Sequence, residues 1–379
     1  MAGIYIHIPF CRKACHYCNF HFSTQLDNKL RMANAIAREL TERAPIWQAH
    51  PIETLYFGGG TPSLLSQEEL NTLLSVVRDQ FNLSPTAEIT LEANPDDLTS
   101  PALDSWQAAG INRLSIGIQS FHETDLRWMN RAHTAVEARE GLKRVQAAGF
   151  ENFSIDLIYG TPGLSDEAWM ENLQIAISSR VPHLSCYALT VEEKTALAHL
   201  VKSGRMPDTD PEQQSRHFLL LMETVRKSGY EHYEISNFAL PGYRSRHNSS
   251  YWSGKLYLGA GPGAHSFDGH SRRWNISNNA LYIKAIETGE NFHEEEVLTK
   301  ENRRHEYIMT ALRTVEGLDM KYYTDQYGLS ETKLLEKKLN QYLELTRKEG
   351  PDRLVFSSDR IQLTDEGKLF ADGIASFFF

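Results

Sequence analysis

Three cysteines near the start of the chain are the residues best suited to do chemistry. The motif C-x3-C-x2-C is formed by Cys11, Cys15 and Cys18. Because it directly follows a short β-type run, the three thiolates lie on one loop and can converge on one inorganic cluster. A structural zinc site takes four protein ligands, whereas a [4Fe-4S] cube with three cysteine ligands leaves one iron open for chemistry. The fourth cysteine, Cys186, is distant in sequence. Two alternatives stay open: three structural cysteines, or a zinc site completed by His16 or His21.

Further polar and glycine residues stand where predicted strands end. Residues 58–62 have the sequence Gly-Gly-Gly-Thr-Pro, Glu92 closes the third strand, and Gln119 closes the fourth. Asp156 lies in an otherwise apolar strand, where an unpaired buried carboxylate would be unfavourable. Each residue alone is compatible with a structural role, and a bare glycine turn with a tight loop. Because the C-terminal ends of parallel strands share one edge of a sheet, we expect these residues to meet at the mouth that holds the cysteine loop.

Six short β-rich runs alternate with amphipathic helical patterns through the first half of the chain. The predicted strands are residues 4–8, 54–57, 88–93, 113–118, 153–158 and 183–188. Ser66 with Glu69, and Thr134 with Glu137, have the spacing of capping boxes that open helices. The alternation predicts an α/β fold with a parallel sheet of right-handed βαβ units, either open or closed into a barrel.

The pattern changes after about residue 190, which divides the chain into three predicted parts. A polar loop runs to Asp210, and a helix follows near residues 211–228. We predict one domain over residues 1–240 and a connecting region rich in glycine and aromatic residues over 241–299. Residues 300–379, with two or three helices and then a hairpin, predict a small winged-helix-like α+β domain.

Composition excludes several classes of protein. The net charge is 39 − 49 = −10, and it is spread along the chain. Nucleic-acid binders need clustered Lys and Arg, so no nucleic-acid partner is expected. No apolar run approaches the roughly 20 residues that a membrane span needs, so no integral membrane segment is expected. Four cysteines, three of them clustered, do not form a disulfide framework, which favours a reducing, cytoplasmic location.

The cysteine spacing resembles that of the radical-SAM superfamily. In that superfamily the open iron binds S-adenosylmethionine (SAM), and an electron from the reduced cluster releases a 5′-deoxyadenosyl radical. The glycine turn at residues 58–60 matches the motif that holds the methionine amino group there. The resemblance therefore implies two cofactors, a [4Fe-4S] cluster and SAM.

Across essentially the whole chain the sequence resembles the oxygen-independent coproporphyrinogen III oxidase family. The matching stretches are residues 5–11, 58–63, 91–95, 113–121, 130–131 and 155–160. This resemblance implies a partial (β/α)6 TIM-like barrel with a small C-terminal domain. It implies that cluster-bound SAM is held by Tyr5, Gly59 and Glu92. It implies a second adenosyl site lined by Gly60, Thr61, Gln119, Arg131 and Asp156, with Tyr17 and Ala188 nearby.

Two departures separate the chain from the oxidases proper. They carry a further cysteine two residues after the motif, where this chain has Phe20, and a longer segment before the first strand. Both favour the haem-chaperone branch of the family, called HemW-like. That branch is marked by H-N-x-x-Y-W, which occurs here at residues 247–252. Alone, such a string is more often a turn packed on a core. In this context it makes His247 the leading candidate for a haem-iron ligand, with His265 a second.

Three functions follow as expectations. The first is a haem chaperone that binds haem and passes it to an acceptor protein, with an electron donor such as flavodoxin or ferredoxin. The second is radical decarboxylation of coproporphyrinogen III to protoporphyrinogen IX. The third is a radical-SAM enzyme with another substrate. Phe20 and the short leader favour the first over the second, so whether the chain is an enzyme stays open.

Overall fold

The computed structural model describes residues 2–347, 350–357 and 359–379. Strands β1–β8 are Ala2–Ile8, Ile52–Gly59, Leu83–Ala93, Arg113–Gln119, Phe153–Tyr159, His183–Ala188, Glu231–Glu234 and Asn237–Ala239. Strands β9–β15 are Leu256–Ala260, His265–Phe267, Ser271–Asn275, His293–Val297, Leu318–Asp319, Leu354–Phe356 and Arg360–Leu363. Helices α1–α8 are Lys29–Trp47, Gln67–Gln80, Ser100–Ala108, Glu123–Trp128, Ala135–Ala147, Asp166–Ser178, Ala196–Lys202 and Pro211–Lys227. Helices α9–α15 are Arg246–Trp252, Asn279–Thr288, Lys300–Leu312, Met320–Tyr327, Leu329–Thr346, Asp365–Lys368 and Ala371–Phe377.

The six predicted strands are confirmed as β1–β6, which pair side by side and parallel. The full sheet has twelve strands in the order β12-β11-β10-β9-β1-β2-β3-β4-β5-β6-β8-β7. Among the described strands no pair joins β12 to β7, so the barrel is partial and open. Both predicted capping boxes are present, at the start of α2 and of α5.

The two faces of the parallel strands differ sharply in polarity. Residues Ile4, Ile6 and Ile8 of β1 belong to one large apolar core that includes helix residues such as Ile36. The alternate residues point into the barrel, where the Tyr5 ring lies 6.1 Å from the Tyr56 ring, centroid to centroid. Successive side chains of a strand point to opposite faces, so one face of each strand packs the helices and the other lines the interior.

The second half of the chain departs from the sequence prediction in two places. The predicted loop before Asp210 contains helix α7, whose first turn is capped by the Thr195 hydroxyl. The glycine- and aromatic-rich stretch contains β9, which pairs parallel with β1, and β10–β12, which continue the sheet antiparallel. Strand β9 pairs with a strand about 250 residues earlier, and β10–β12 extend the sheet from β9 through sequential antiparallel pairs, so their place in the sheet depends on this non-local pairing.

A small C-terminal unit follows β12. As predicted, helices (α11–α13) precede a hairpin, β14–β15, which β13 extends to three strands. This unit has its own apolar core, which includes Leu312, Leu339 and Ile361. Within the described ranges, no helix of the protein combines the length and the apolar character needed to cross a bilayer.

Candidate functional site

The C-terminal ends of the parallel strands open into a cavity of about 920 Å³. The predicted residues in its wall are Cys11, Cys15, Tyr17, Cys18, Gly59, Gly60, Thr61, Glu92, Gln119, Arg131, Asp156 and Ala188. Tyr5 is set back from the wall, beneath Glu92 and beside Tyr56. The structure therefore brings together the groups that the sequence placed at separate strand ends.

Two backbone hydrogen bonds to Ser23 anchor the start of the cysteine loop, one on each side of Phe10. The Cys11 amide donates to the Ser23 carbonyl at 3.0 Å, and the Ser23 amide donates to the Pro9 carbonyl at 2.9 Å. All three thiols are free and partly exposed to the cavity. Burial raises the pKa of the Cys11 thiol to about 11, so iron must displace a proton when it binds there.

The zinc alternative loses its candidate histidines. The His16 Nδ1 atom lies 2.9 Å from the Trp128 carbonyl oxygen, and the His21 Nε2 atom lies 2.7 Å from the Asn279 Oδ1 atom. Neither histidine lines the cavity. In the part of the chain that the structure describes, no three His, Cys, Asp or Glu side chains converge tightly enough for a single metal ion. The three thiols line one cavity of about 920 Å³, which has room for a larger inorganic cluster.

The glycine turn packs directly against the start of the cysteine loop. A Cβ atom built on Gly60 would lie 2.6 Å from the Phe10 carbonyl oxygen and 2.9 Å from that of Ile8. Gly59 has a φ of 109° and lies over the His7 ring, 2.6 Å from where its Cβ would be. Glycine is required at both positions, because any side chain would push the turn away from β1.

Glu92 faces the cavity and is held from two sides. Its Oε2 atom accepts from the Gly59 amide at 3.1 Å, and its Oε1 atom accepts from the Tyr56 hydroxyl at 2.8 Å. Burial raises the pKa of Glu92 to about 7, and Asp156 adds to the increase. Burial likewise raises the pKa of Asp156 to about 6. A cationic ligand in the cavity would favour the ionised form of both carboxyls.

Arg131 ties the cysteine loop to the ends of β3 and β4. Its Nη2 atom donates to the Asn94 Oδ1 atom at 2.8 Å and to the Gly117 carbonyl at 2.7 Å. Its Nη1 atom donates to the Cys15 sulfur at 3.3 Å. The guanidinium therefore fixes one cysteine relative to the two strands that carry Glu92 and Gln119.

Gln119 is the residue with the most unusual backbone in the site. Its φ of 65° lies in the left-handed region that few residues other than glycine adopt. Such strain persists where surrounding structure enforces it, and it is common at functional sites. The β4–β5 register shifts here, between Ile116 and Gln119.

His247 lies at the opposite end of the barrel from the cysteine loop. It is 1% exposed, and its ring contacts Gly3 and Thr54, near the starts of β1 and β2. From Gly3 to Ile8 the strand spans about 16 Å at the usual rise per residue. The Nδ1 atom lies 2.8 Å from the Thr54 Oγ1 atom, and the Nε2 atom lies 3.0 Å from the Tyr251 hydroxyl. Both ring nitrogens are thus engaged, so ligation of haem iron by His247 requires a different conformation and stays a prediction.

The second histidine candidate has a different environment. His265, on β10, is exposed, and its ring stacks on Trp274 with centroids 6.1 Å apart. It does not line the cavity. Its role as a haem ligand also stays a prediction.

Three contributions to the site were missed from the sequence. Tyr56 holds Glu92, and Asn94 receives Arg131. Residues 368–373 of the C-terminal unit form part of the cavity wall. Tyr56 could have been found by alternation, because it shares the inward face of β2 with Thr54 and Gly58. No local signal places the C-terminal segment.

Comparison with known proteins identifies the family. Residues 5–176 match the model of the radical SAM superfamily, and residues 298–370 match that of the HemN C-terminal domain. A protein of Bacillus subtilis named heme chaperone HemW is 33% identical over 100% of this chain and 99% of its own length. One of Mycobacterium tuberculosis with the same name is 35% identical over 98% of this chain and 93% of its own. The chain belongs to the HemW family of radical SAM proteins.

Membership of this family confirms the fold and the class of cofactor. A solved structure of coproporphyrinogen III oxidase (HemN) from Escherichia coli is similar over 100% of this chain and 89% of that one, with 25% identity and a TM-score of 0.86. The partial α/β barrel with a small C-terminal unit is therefore shared. The radical SAM superfamily implies a [4Fe-4S] cluster and SAM. The three loop cysteines fit the cluster, and the glycine turn at residues 58–60 fits SAM.

Proposed function

We propose that this chain is a haem chaperone of the radical-SAM type, which binds haem and transfers it to an acceptor protein. Cys11, Cys15 and Cys18 would hold the [4Fe-4S] cluster, with SAM on the open iron. When reduced, such a cluster supplies the electron that cleaves the sulfonium bond of SAM. Full-length similarity to proteins named heme chaperone HemW carries this proposal.

The cavity residues divide between two proposed adenosyl sites. Gly59 and Glu92, with Tyr5 behind them, would hold cluster-bound SAM, since an anionic carboxylate and a flush backbone suit a cationic ligand. The second proposed site is lined by Gly60, Thr61, Gln119, Arg131 and Asp156, with Tyr17 and Ala188 nearby. A cavity of about 920 Å³ lies at the upper end of the usual range for ligand pockets, which supports more than one occupant.

One residue of the cavity wall supports the chaperone over the oxidase. Phe20 stands where the oxidases have a further cysteine; it is 68% exposed and lines the cavity. Tyr187 and Phe370, which are 42% and 43% exposed, line the same cavity. Exposed flat rings suit a porphyrin face. Haem is therefore proposed to dock at this aromatic rim, formed by Phe20, Tyr187 and Phe370.

The remaining proposals concern partners and organisation. An electron donor such as flavodoxin or ferredoxin would reduce the cluster, and no nucleic-acid partner is proposed. The three-part division at residues 240 and 300 stays a proposal, supported by the separate apolar core of the C-terminal unit. The cysteine usage supports a reducing, cytoplasmic compartment.

A haem titration of the anaerobically reconstituted protein, with and without SAM, tests the function. We expect saturable haem binding whose affinity changes on addition of SAM, because the two ligands share one cavity. Phe20→Ala should weaken haem binding. Ile46→Ala is the control, because Ile46 is similarly exposed but does not line the cavity. Absence of saturable haem binding would exclude the chaperone.

The coproporphyrinogen oxidase activity is the second candidate, favoured by the structural match to HemN. The same reconstituted protein, supplied with coproporphyrinogen III, SAM, a reductant for the cluster and an oxidant that accepts the electron released with each carbon dioxide, discriminates between the two. We expect no protoporphyrinogen IX beyond a single turnover. Sustained formation of protoporphyrinogen IX would show that the protein is the oxidase rather than the chaperone.

A further inference from the structure

A continuous line of contacts joins His247 to the cavity, although the two lie at opposite ends of the barrel. The His247 ring stacks on Tyr56, with centroids 4.9 Å apart and planes at 24°. The Tyr56 hydroxyl donates to Glu92 at 2.8 Å, and Glu92 lines the cavity. Tyr5 flanks this line, with its ring 6.4 Å from His247 and 6.1 Å from Tyr56.

The His247 ring is fixed in place from its other sides. Its own amide and that of Arg246 donate to the buried Glu88 carboxylate, at 3.0 and 3.1 Å, which anchors the start of α9. Burial, with a smaller contribution from the positive charge of Arg113, lowers the pKa of His247 to about 3, so the ring is neutral. A neutral, doubly hydrogen-bonded ring in a packed interior is a rigid support for the ring stacked on it.

Tyr56 depends on this support. Strand β2 holds its backbone, but its hydroxyl must reach Glu92, on the neighbouring strand β3. Rotation of the Tyr56 ring into space left by His247 would break that bond. Glu92 would then keep only the Gly59 amide of its two donors.

We propose that His247 is a positioning residue for the SAM site: its ring supports Tyr56, and Tyr56 orients the Glu92 carboxylate toward SAM. This role rests on the proposed function only in that Glu92 faces SAM. It assigns the H-N-x-x-Y-W segment to the barrel floor, the end of the barrel where strands β1 and β2 begin, rather than to the haem iron. SAM affinity and haem affinity should therefore respond differently to changes at this residue.

Two substitutions of His247 separate positioning from iron ligation. His247→Ala removes both the ring and the nitrogens, whereas His247→Phe keeps a ring that can stack on Tyr56 but cannot bind iron. With cluster-loaded protein, we expect His247→Ala to weaken SAM binding at least fivefold by equilibrium dialysis, and His247→Phe to restore most of it. Haem affinity of His247→Phe should equal that of the wild type. Loss of haem binding in both variants, with SAM affinity unchanged, would overturn the proposal in favour of ligation.

A double-mutant cycle tests the line of contact itself. Tyr56→Phe keeps the ring that stacks on His247 but removes the hydroxyl that donates a hydrogen bond to Glu92. If His247 acts through Tyr56, the double variant His247→Ala/Tyr56→Phe should bind SAM with the same affinity as whichever single variant binds SAM more weakly. Additive losses would show that the two residues act separately and would overturn the proposal.

The matched control is His183, another buried histidine of the barrel interior. Its Nε2 atom lies 2.7 Å from the Tyr233 hydroxyl, and its ring meets the Tyr233 ring edge-on, with centroids 5.7 Å apart. We expect His183→Ala to leave SAM affinity within twofold of wild type. An equal loss in both histidine variants would indicate general loosening of the barrel and contradict the proposal.

If His247→Ala does not fold, the comparison of His247→Phe with Tyr56→Phe still decides: only Tyr56→Phe should lose SAM affinity. Wild-type protein that binds SAM but not haem would refute the chaperone and leave this inference intact.

Discussion

At the scale of single residues, the site depends on side chains whose chemistry is altered by burial. Cys11, Cys15 and Cys18 face one cavity. Cys186 instead lies on the side of β6 that faces the helices, in the apolar core. Glu92 and Asp156 are two carboxyls in the barrel interior with raised pKa values.

Replacement of the three loop cysteines by alanine should abolish the iron–sulfur absorbance of the anaerobically reconstituted protein. The reason is that no other described Cys adjoins the cavity to replace them. Cys186→Ala is the control and should retain a full cluster, because the Cys186 side chain packs in the apolar core. Retention of the cluster in the triple variant would contradict the assignment.

Glu92→Gln should show opposite effects on stability and on SAM binding. The folded pKa of Glu92, about 7, is above its ordinary value of 4.5, so its ionisation destabilises the metal-free fold as pH rises between these values. At pH 8 the variant should be more stable than wild type by up to about 3 kcal/mol in urea unfolding, with the difference lost near pH 4.5. SAM binding should be weaker than in wild type at pH 8.

The exposed Glu68→Gln is the control for this measurement. Its stability relative to wild type should not depend on pH in the same way. A stability difference for Glu92→Gln that is equal at pH 8 and pH 4.5 would show that ionisation of Glu92 is not responsible.

At the scale of elements, the strands supply a polar interior and the turns at their ends supply the close contacts. The glycine turn after β2 packs against the beginning of the cysteine loop after β1, and the Gly60 amide donates to the Ile8 carbonyl at 2.8 Å. Two adjacent parallel strands thus deliver the cluster loop and the proposed SAM-binding turn to the same place.

Gly60→Ala should lower the cluster content of reconstituted protein by more than half. Its Cβ atom would meet backbone atoms of Phe10 and Ile8 within 3 Å, and backbone cannot move aside cheaply. Iron and sulfide analysis measures the effect. Gly242→Ala is the control: its φ of 89° makes alanine strained, but nothing lies within 4 Å of the added atom. Equal cluster loss in both variants would show that the contact of the added atom with Phe10 and Ile8 is not the cause.

At the scale of the whole molecule, Arg313 connects three parts of the chain. Its Nε and Nη2 atoms donate to Glu234 of β7 at 3.2 and 3.1 Å. Its Nη1 atom donates to Asp372 at 2.9 Å, in the segment that walls the cavity, and its guanidinium lies 5.0 Å from the Trp252 ring centroid. The C-terminal unit is therefore held on the barrel next to the cavity that it helps to close.

Arg313→Ala should destabilise the protein by about 3 kcal/mol in urea unfolding, because it leaves the Glu234 carboxylate, 1% exposed, without its cation. Arg226→Ala is the matched control. It removes an exposed ion pair with Asp365 across the same interface, for which the expected loss is about 0–1 kcal/mol. Equal small losses would show that Arg313 does not stabilise this junction.

The sequence by itself determined the parallel strands, their common edge and the cysteine loop. These features are local: alternation along each strand and the short spacing of three cysteines are set within a few residues. Tertiary structure alone decided the rest. The pairing of β9 with β1 joins segments more than 200 residues apart, and it positions α9 beneath the barrel. A string such as H-N-x-x-Y-W does not indicate at which end of a sheet it will dock. Contacts of α9 with Thr54 and Glu88 place His247 on the barrel floor, because non-local hydrogen bonds and burial, not local periodicity, select the site where a short helix packs.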